Sequence, residues 1–265
     1  MSTIPIFSLE TIPAAHVSDT MLEQAAGLFS AAYGVWSAEA AERMGRRYCK
    51  QGTRVKMTPL RLRDQCLAPG TNSVFVRAMA GSSTTSDDDE DSKTLVGYAF
   101  ATSWMYGERC VCWVTQLCVE GGYRRQGLAT KILSRLREES QNNTNNTNNI
   151  MAFSILSSHP AAIMAALRAW GRGIEAVDIQ FAKNHAAGIM AASPVAYVRD
   201  AKLKGSIFGI HDHDNEDGAV CCADTKFWVD HAEPLTVLAE VKANRNMDVW
   251  PFGELPPGCE FLALC

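Results

Sequence analysis

Between residues 19 and 33 apolar side chains recur at helical spacing (Met21, Leu22, Ala25, Leu28, Phe29, Ala32), behind Ser18 or Asp19 as a cap. The spacing predicts a helix there and a second over 38–49, after a break at Gly34-Val35-Trp36. That break reads either as a loop that touches a ligand or as a plain turn between helices. Residues 73–80 read as a strand. Residues 94–106 and 109–119, rich in Val, Tyr, Phe, Trp and Cys, predict an antiparallel pair turning at Gly107. Over 126–139, Leu128, Ile132, Leu133 and Leu136 line one helical face with charged residues opposite. A strand at 150–156, a helix at 160–170 opened by Pro160, and a partly helical 174–192 follow. The remainder predicts a strand at 226–230, a helix at 234–243 and a closing strand at 261–265, reached through Pro256-Pro257-Gly258.

Polar stretches separate these elements. Residues 81–93 have little to bury and read as a solvated, mobile hairpin connection. Residues 141–149 are mostly asparagine, whose side chains compete for backbone hydrogen bonds, so the preceding helix is expected to end there. Residues 211–218 hold His211, His213 and four carboxylates, ahead of Cys221 and Cys222. Adjacent ligands on a flexible loop rarely close a tetrahedral site, so a solvated loop and no metal are expected. A lid over a pocket is the other reading of that loop. The expected organisation is one domain over 1–265, without internal repeats, with an extension from about residue 171.

Composition narrows the function. A chain of 265 residues, 47% apolar and 20% charged, can bury a substantial core. Its net charge of -4 supplies no general attraction for phosphate backbones, so nucleic acid is not an expected partner. The first residues lack a basic segment followed by an apolar run, and no stretch is apolar for the roughly eighteen residues a membrane helix needs. No membrane partner is expected, and the location is read as cytoplasmic with the nucleus left open. Nine cysteines, an odd number without C-x-x-C spacing, fit a reducing compartment. Cys110 and Cys112 share one face of their predicted strand, where packing is the expected role.

The chemistry concentrates where the strand ending at Val119 runs through Glu120-Gly121-Gly122-Tyr123 into Arg124-Arg125-Gln126-Gly127-Leu128-Ala129-Thr130. Free N–H groups in a helix's first turn point back across the sheet end and bind anions. Gly127 permits close backbone approach, Ala129 keeps the helix face open, and Arg124 and Arg125 add positive charge. The arrangement suits a pyrophosphate. Its glycine spacing matches neither the dinucleotide fingerprint nor the P-loop, which also needs a Lys-Ser/Thr pair.

Arg124-Arg125-Gln126-Gly127-Leu128-Ala129, behind Leu117-x-Val119 and Tyr123, resembles the signature Arg/Gln-x-x-Gly-x-Gly/Ala of the GCN5-related N-acetyltransferase (GNAT) superfamily. The motif resemblance covers about 96–139, and element order extends it to Trp170. It implies an α/β (α+β) fold, a mixed, mostly antiparallel central sheet flanked by helices, with acetyl-CoA as co-substrate. By the same resemblance, Leu117, Cys118, Val119, Arg124, Arg125, Gln126, Gly127, Leu128, Ala129 and Thr130 bind that cofactor. The strand bearing Leu117 and Val119 would splay from its neighbour, with the pantetheine arm bonded to their backbones and an oxyanion donor near Cys118. The implied acceptor is a small-molecule primary amine or an exposed amino group of a protein, attacking the thioester directly. Association as a homodimer is left open. Gly121 stands where the family commonly has proline and Arg125 where it commonly has glycine. Helix 160–170 lacks the tyrosine that in many members protonates the departing thiolate.

His159, Ser158 and Glu120 are the candidate catalytic residues. His159, with Ser157 and Ser158 beside it, follows the 150–156 strand, and its competing reading is a helix-start residue making local hydrogen bonds. Glu120 ends the motif strand either as a proton acceptor or as a solvated carboxylate. Tyr98 and Tyr106 are alternatives for the missing phenol, against packing roles. A thiolate route through Cys118 requires an activated cysteine. The alternative function is a non-catalytic acyl-CoA-binding sensor or interaction protein.

Overall fold

The two alternating runs around Gly107 build the centre of the sheet, where Gly107 turns the chain at a φ of 62°. The computed structural model describes residues 7–45, 47, 49–81, 93–143, 150–209 and 218–265. Its strands are β1 (Phe7–Pro13), β2 (Asn72–Ala80), β3 (Thr94–Tyr106), β4 (Arg109–Val119), β5 (Ile150–Ser157), β6 (Lys202–Lys204), β7 (Cys222–Asp224) and β8 (Cys259–Leu264). Its helices are α1 (Asp19–Ala32), α2 (Ala38–Met44), α3 (Pro59–Cys66), α4 (Leu128–Asn143), α5 (Pro160–Ala169), α6 (Ile179–Ala191), α7 (Ala196–Asp200) and α8 (Ala232–Asn244). The eight strands form one sheet in the order β1-β2-β3-β4-β5-β8-β7-β6. Neighbours are antiparallel except β4 and β5, which run parallel and are joined through α4. The sheet is therefore mixed and mostly antiparallel, as the motif resemblance implied.

Alternation decides which helix covers which face. On one face Phe75, Tyr98, Phe100 and Cys118 pack with Leu22, Ala25 and Ala26 of α1 and Leu62 and Cys66 of α3. On the other, Val76, Ala78, Val96, Ala99 and Ala101 pack with Leu128, Ile132, Leu133 and Leu136 of α4 and with the apolar side of α5. Those four α4 side chains are at most 1% exposed, and burying each contributes roughly 1.5–3 kcal/mol. Gly97 lets α4 approach closely, since a Cβ there would stand 3.0 Å from Ile132 Cδ1. Ser18 caps α1 by accepting from the Met21 N–H, as its residue type suggested.

Several elements depart from the pattern read along the chain. Residues 226–230 are not a strand: Lys226 adopts a φ of 57°, and Val229 makes only an isolated bridge to Trp36. The helix after Ser37 stops at Met44 instead of reaching residue 49, because Gly45 leaves helical space at a φ of 96°. Helix α4 starts two residues late, after the positive φ values of Arg125 and Gly127, and continues to Asn143. Strands β1, β6 and β7 and helices α3 and α7 were not anticipated. Residues 82–92, 144–149 and 210–217 lie outside the described residues, and with them the readings of a solvated connection, of most of the asparagine run and of the His/Asp loop. Among the described residues no helix is long and apolar enough to cross a membrane.

Candidate active site

The site begins with a failure of pairing. β4 pairs with β5 only from Cys110↔Ile150 to Val114↔Ile155, so residues 115–119 have no β5 partner. On its other edge β4 stays paired with β3 as far as Gly97↔Val119, but a register shift between Phe100 and Ala101 leaves Thr115 unpaired there too. A bulge of this kind bends one strand away from its neighbour. The cleft that reaches this gap has a volume of about 880 Å³. Leu117, Cys118, Val119, Tyr123, Arg124 and Arg125 line it, with Gly127, Leu128, Ala129 and Thr130 at the start of α4.

The α4 start has the features an anion needs. The first bond of the helix runs from the Lys131 N–H to Gly127 O at 3.1 Å, which leaves the N–H groups of Leu128, Ala129 and Thr130 without intrahelical acceptors. Arg125 and Gly127 have φ values of 62° and 80°, a pattern that curls successive amides into a concave nest. A Cβ at Gly127 would meet nothing within 4 Å, so glycine is favoured there by its positive φ and not by packing. Gln126 is turned elsewhere: its side chain donates to Gly122 O at 2.8 Å, and it does not line the cleft.

The two arginines are already engaged. Arg124 donates through Nε to Val119 O at 3.2 Å, through Nη1 to Glu233 Oε1 at 2.9 Å, and through Nη2 to Ala32 O. It thereby ties the end of β4 to the ends of α1 and α8, and it occupies the carbonyl of Val119, one of the two residues whose backbone the resemblance assigned to the pantetheine arm. Arg125 pairs with Glu240 of α8 at 3.0 Å, in a setting exposed enough for the pair to add little stability. Helix α8 thus forms a wall of the cleft, through Glu233, Pro234, Val237, Glu240 and Val241.

Of the candidate catalytic residues, Ser158 and His159 line the cleft and Glu120 does not. Glu120 caps the turn after β4, accepting from the Gly122 N–H at 2.9 Å. His159 caps α5, its Nδ1 accepting from the Ala161 N–H at 3.2 Å. Removal from water holds its imidazole below the usual histidine range; Glu233 pulls the other way, while Arg124 and Arg125 reinforce the lowering. The neutral ring therefore carries its proton on Nε2, 3.9 Å from Glu233 Oε1. Ser158 is 7% exposed, and the neighbouring Ser157 hydroxyl accepts from the His159 N–H.

The other candidates fall away on placement. Tyr98 is fully buried and donates to Gln116 Oε1 at 2.6 Å, while Tyr106 packs near Gly188 and His185; neither lines the cleft. Burial pushes the Cys118 thiol up to about 12, against the pull of Arg124. It stays protonated at neutral pH and is no nucleophile. All nine cysteines are free, and Cys110 and Cys112 are buried as packing residues.

Three further side chains enter the cleft from segments that carried no motif. Tyr33 follows α1, Tyr197 lies on α7 and Glu260 lies on β8. The Tyr197 hydroxyl donates to Thr115 O at 2.8 Å, which anchors α7 to the bulge. Removal from water pushes both phenols well above the usual tyrosine range, and Glu260 adds to this. Glu260 is 6% exposed, and burial pushes its carboxyl up to about 7 against a hydrogen bond from Thr225. The signal that could have found it is a lone carboxylate inside the apolar run Cys259-Glu260-Phe261-Leu262.

Residues 66–171, from the end of α3 to just beyond α5, match the family model described as acetyltransferase (GNAT) family. Over that segment, about two fifths of its length, the chain is similar to this family. No curated protein sequence matches it. Among solved structures it is similar to Arabidopsis thaliana NAA60 in complex with a bisubstrate analogue, at 13% identity and a TM-score of 0.38 over 61% of this chain and 82% of that one. It is also similar to the ribosomal-protein-S18-alanine N-acetyltransferase of Escherichia coli, at 13% identity and 0.36 over 63% and 77%. A third is an aminoglycoside acetyltransferase from an uncultured soil metagenomic sample, at 12% identity and 0.33 over 56% and 76%. At such TM-scores nothing about acceptor or mechanism is carried over. The GNAT match holds the β4–α4 junction, whereas Tyr197, Glu233, Glu240 and Glu260 all lie beyond it.

Proposed function

We propose that this protein moves an acetyl group from acetyl-CoA to a primary amine by direct attack on the thioester. The observation that carries the reading is that the unpaired end of β4 and the free N–H groups of α4 open into one cleft. In this reading the amides of Gly127, Leu128, Ala129 and Thr130 hold the diphosphate, with Arg125 beside them. Leu117, Cys118 and the free side of Val119 flank the pantetheine arm, as a strand added to an open edge. Ser158 and the Nε2–H of His159 orient the groups around the thioester at the end of β5. With its carboxylate capping a turn outside the cleft, Glu120 takes no part.

Acetyl-CoA is expected to raise the melting temperature, by an amount equivalent to about 2.7 kcal/mol at a hundredfold excess over Kd. Gly127→Asp places a negative charge in the anion site without a packing clash, so it is expected to remove that shift. A variant that keeps the wild-type shift rejects the phosphate site.

The absence of a tyrosine from α5 favours a second reading, a protein that binds acyl-CoA without transferring the acyl group. Saturable acetyl-CoA binding with no thiol release, across small amines and peptide N-termini, selects it over the first.

A further inference from the structure

We infer that the Glu260 carboxylate takes the proton from the incoming ammonium group of the acceptor. This deepens the acetyl-transfer reading and rests on it. The residue sits on β8 opposite Ala223 of β7, and the next residue, Phe261, pairs with Ser157 at the end of β5. Successive strand residues face opposite sides, so the Glu260 carboxylate points away from Phe261 and toward Tyr33 and Tyr197, in the cleft that Ser158 and His159 also line.

The surroundings of Glu260 are unusual for a structural carboxylate. Buried carboxylates are ordinarily held by a cation. Among the described residues no lysine, arginine or histidine forms an ion pair with Glu260. The titratable groups that face it are the Tyr33 phenol after α1 and the Tyr197 phenol of α7, both neutral, with the Thr225 hydroxyl from the segment after β7. The Cys66 and Cys118 thiols lie near those phenols and are held protonated by burial. An ammonium group entering the cleft would be the missing cation. Its apolar body would meet Phe29, Tyr33, Phe227 and Val229, which line the same cleft, with Phe29 and Tyr33 stacked at 4.1 Å.

Protonation chemistry agrees with this placement. A carboxyl raised to about 7 is part ionised at neutral pH and is matched to a general base working there. The other candidates are not free: His159 Nδ1 caps α5, and Glu120 lies outside the cleft. The step balances as follows. Glu260 takes one proton from R–NH3+; the amine lone pair forms the C–N bond; the C–S bond breaks toward sulfur. The thiolate takes the second proton of the attacking nitrogen, and Glu260 releases its proton to solvent. The products are the amide, free CoA thiol and one proton.

The test uses the full chain, acetyl-CoA, and phenethylamine, glucosamine and a tripeptide amine as probes, with thiol release followed by a chromogenic disulfide. Glu260→Gln keeps the shape and hydrogen-bonding size of the side chain. It is expected to lower kcat/KM on the active probe by roughly 10²–10⁴-fold at neutral pH, with Glu260→Asp recovering part of the loss. The wild-type profile is expected to rise through about pH 7, and that titration should vanish in the glutamine variant. The acetyl-CoA melting shift should persist in both variants, which shows the fold and cofactor site intact. Glutamine turnover within about threefold of wild type, with an unchanged pH profile, overturns the role of Glu260 alone. Cofactor binding by wild type without thiol release on any probe overturns the transfer reading, and this inference falls with it.

Discussion

Glu260→Gln is expected to stabilise the fold in mild alkali and to leave it unchanged in acid. Burial raises the carboxyl from 4.5 to about 7 in the folded chain. Below pH 4.5 folded and unfolded wild type both hold the proton, and the two proteins should melt together. Between 4.5 and 7 unfolding releases a proton, so wild-type stability falls as the pH climbs. Above about pH 8 the folded carboxyl is ionised in place, and the full difference is expressed. Some 2.5 pH units at about 1.36 kcal/mol each give about 3 kcal/mol. For a chain of this size that corresponds to roughly 5–10 °C. His159 and His231, held below the usual histidine range first by burial, titrate in both proteins and cancel in the comparison. The assay is the difference in melting temperature between variant and wild type at about pH 5 and about pH 8.5. An equal difference at the two values, or a variant less stable in alkali, refutes the claim that the fold ionises a buried, unpaired carboxylate.

Two further outcomes follow from the same cleft. Glu240→Gln removes the carboxylate that pairs with Arg125 beside the anion site, and calorimetric titration is expected to show acetyl-CoA binding roughly two- to fivefold tighter; weaker binding would contradict the placement of Arg125. Cys118→Ala is expected to keep thiol release within a fewfold of wild type, because the buried thiol does no chemistry; complete loss in a folded variant would restore the covalent route.

Local periodicity was a good guide wherever packing repeated it. The strands around Gly107 and the apolar face of α4 are legible because each buried residue has buried neighbours at the same spacing. Helix α3 escaped notice because it buries only Leu62 and Cys66, although Thr58-Pro59 at its start is a capping signal. Strands β6 and β7 are three residues each and exist through their pairing, which leaves no pattern along the chain. Residues 226–230 had strand composition, yet Lys226 takes a left-handed conformation that breaks the run.

The candidate site divides in the same way. The anion-binding turn is contiguous, so Arg124 to Thr130 carry both their chemistry and their geometry in their order. Even there the fold added a fact that order could not hold, since Arg124 and Arg125 are paired with carboxylates of α8 more than a hundred residues on. His159 and Ser158 were legible as cleft residues because they directly follow a strand, but the capping bond on Nδ1 appears only once α5 is formed.

By itself the sequence determined that the central strands and the helices α1, α4 and α5 form, and that one turn between them would offer amides to an anion, since neighbours in the chain decide both. Only the tertiary structure decided which side chains face that turn. β8 reaches β5 across the span from Ser154 to Ala263, 109 residues, and brings Glu260 into the cleft that Ser158 lines. A carboxylate's proton affinity depends on the water and charges around it, and those are supplied by segments that meet only when the sheet closes.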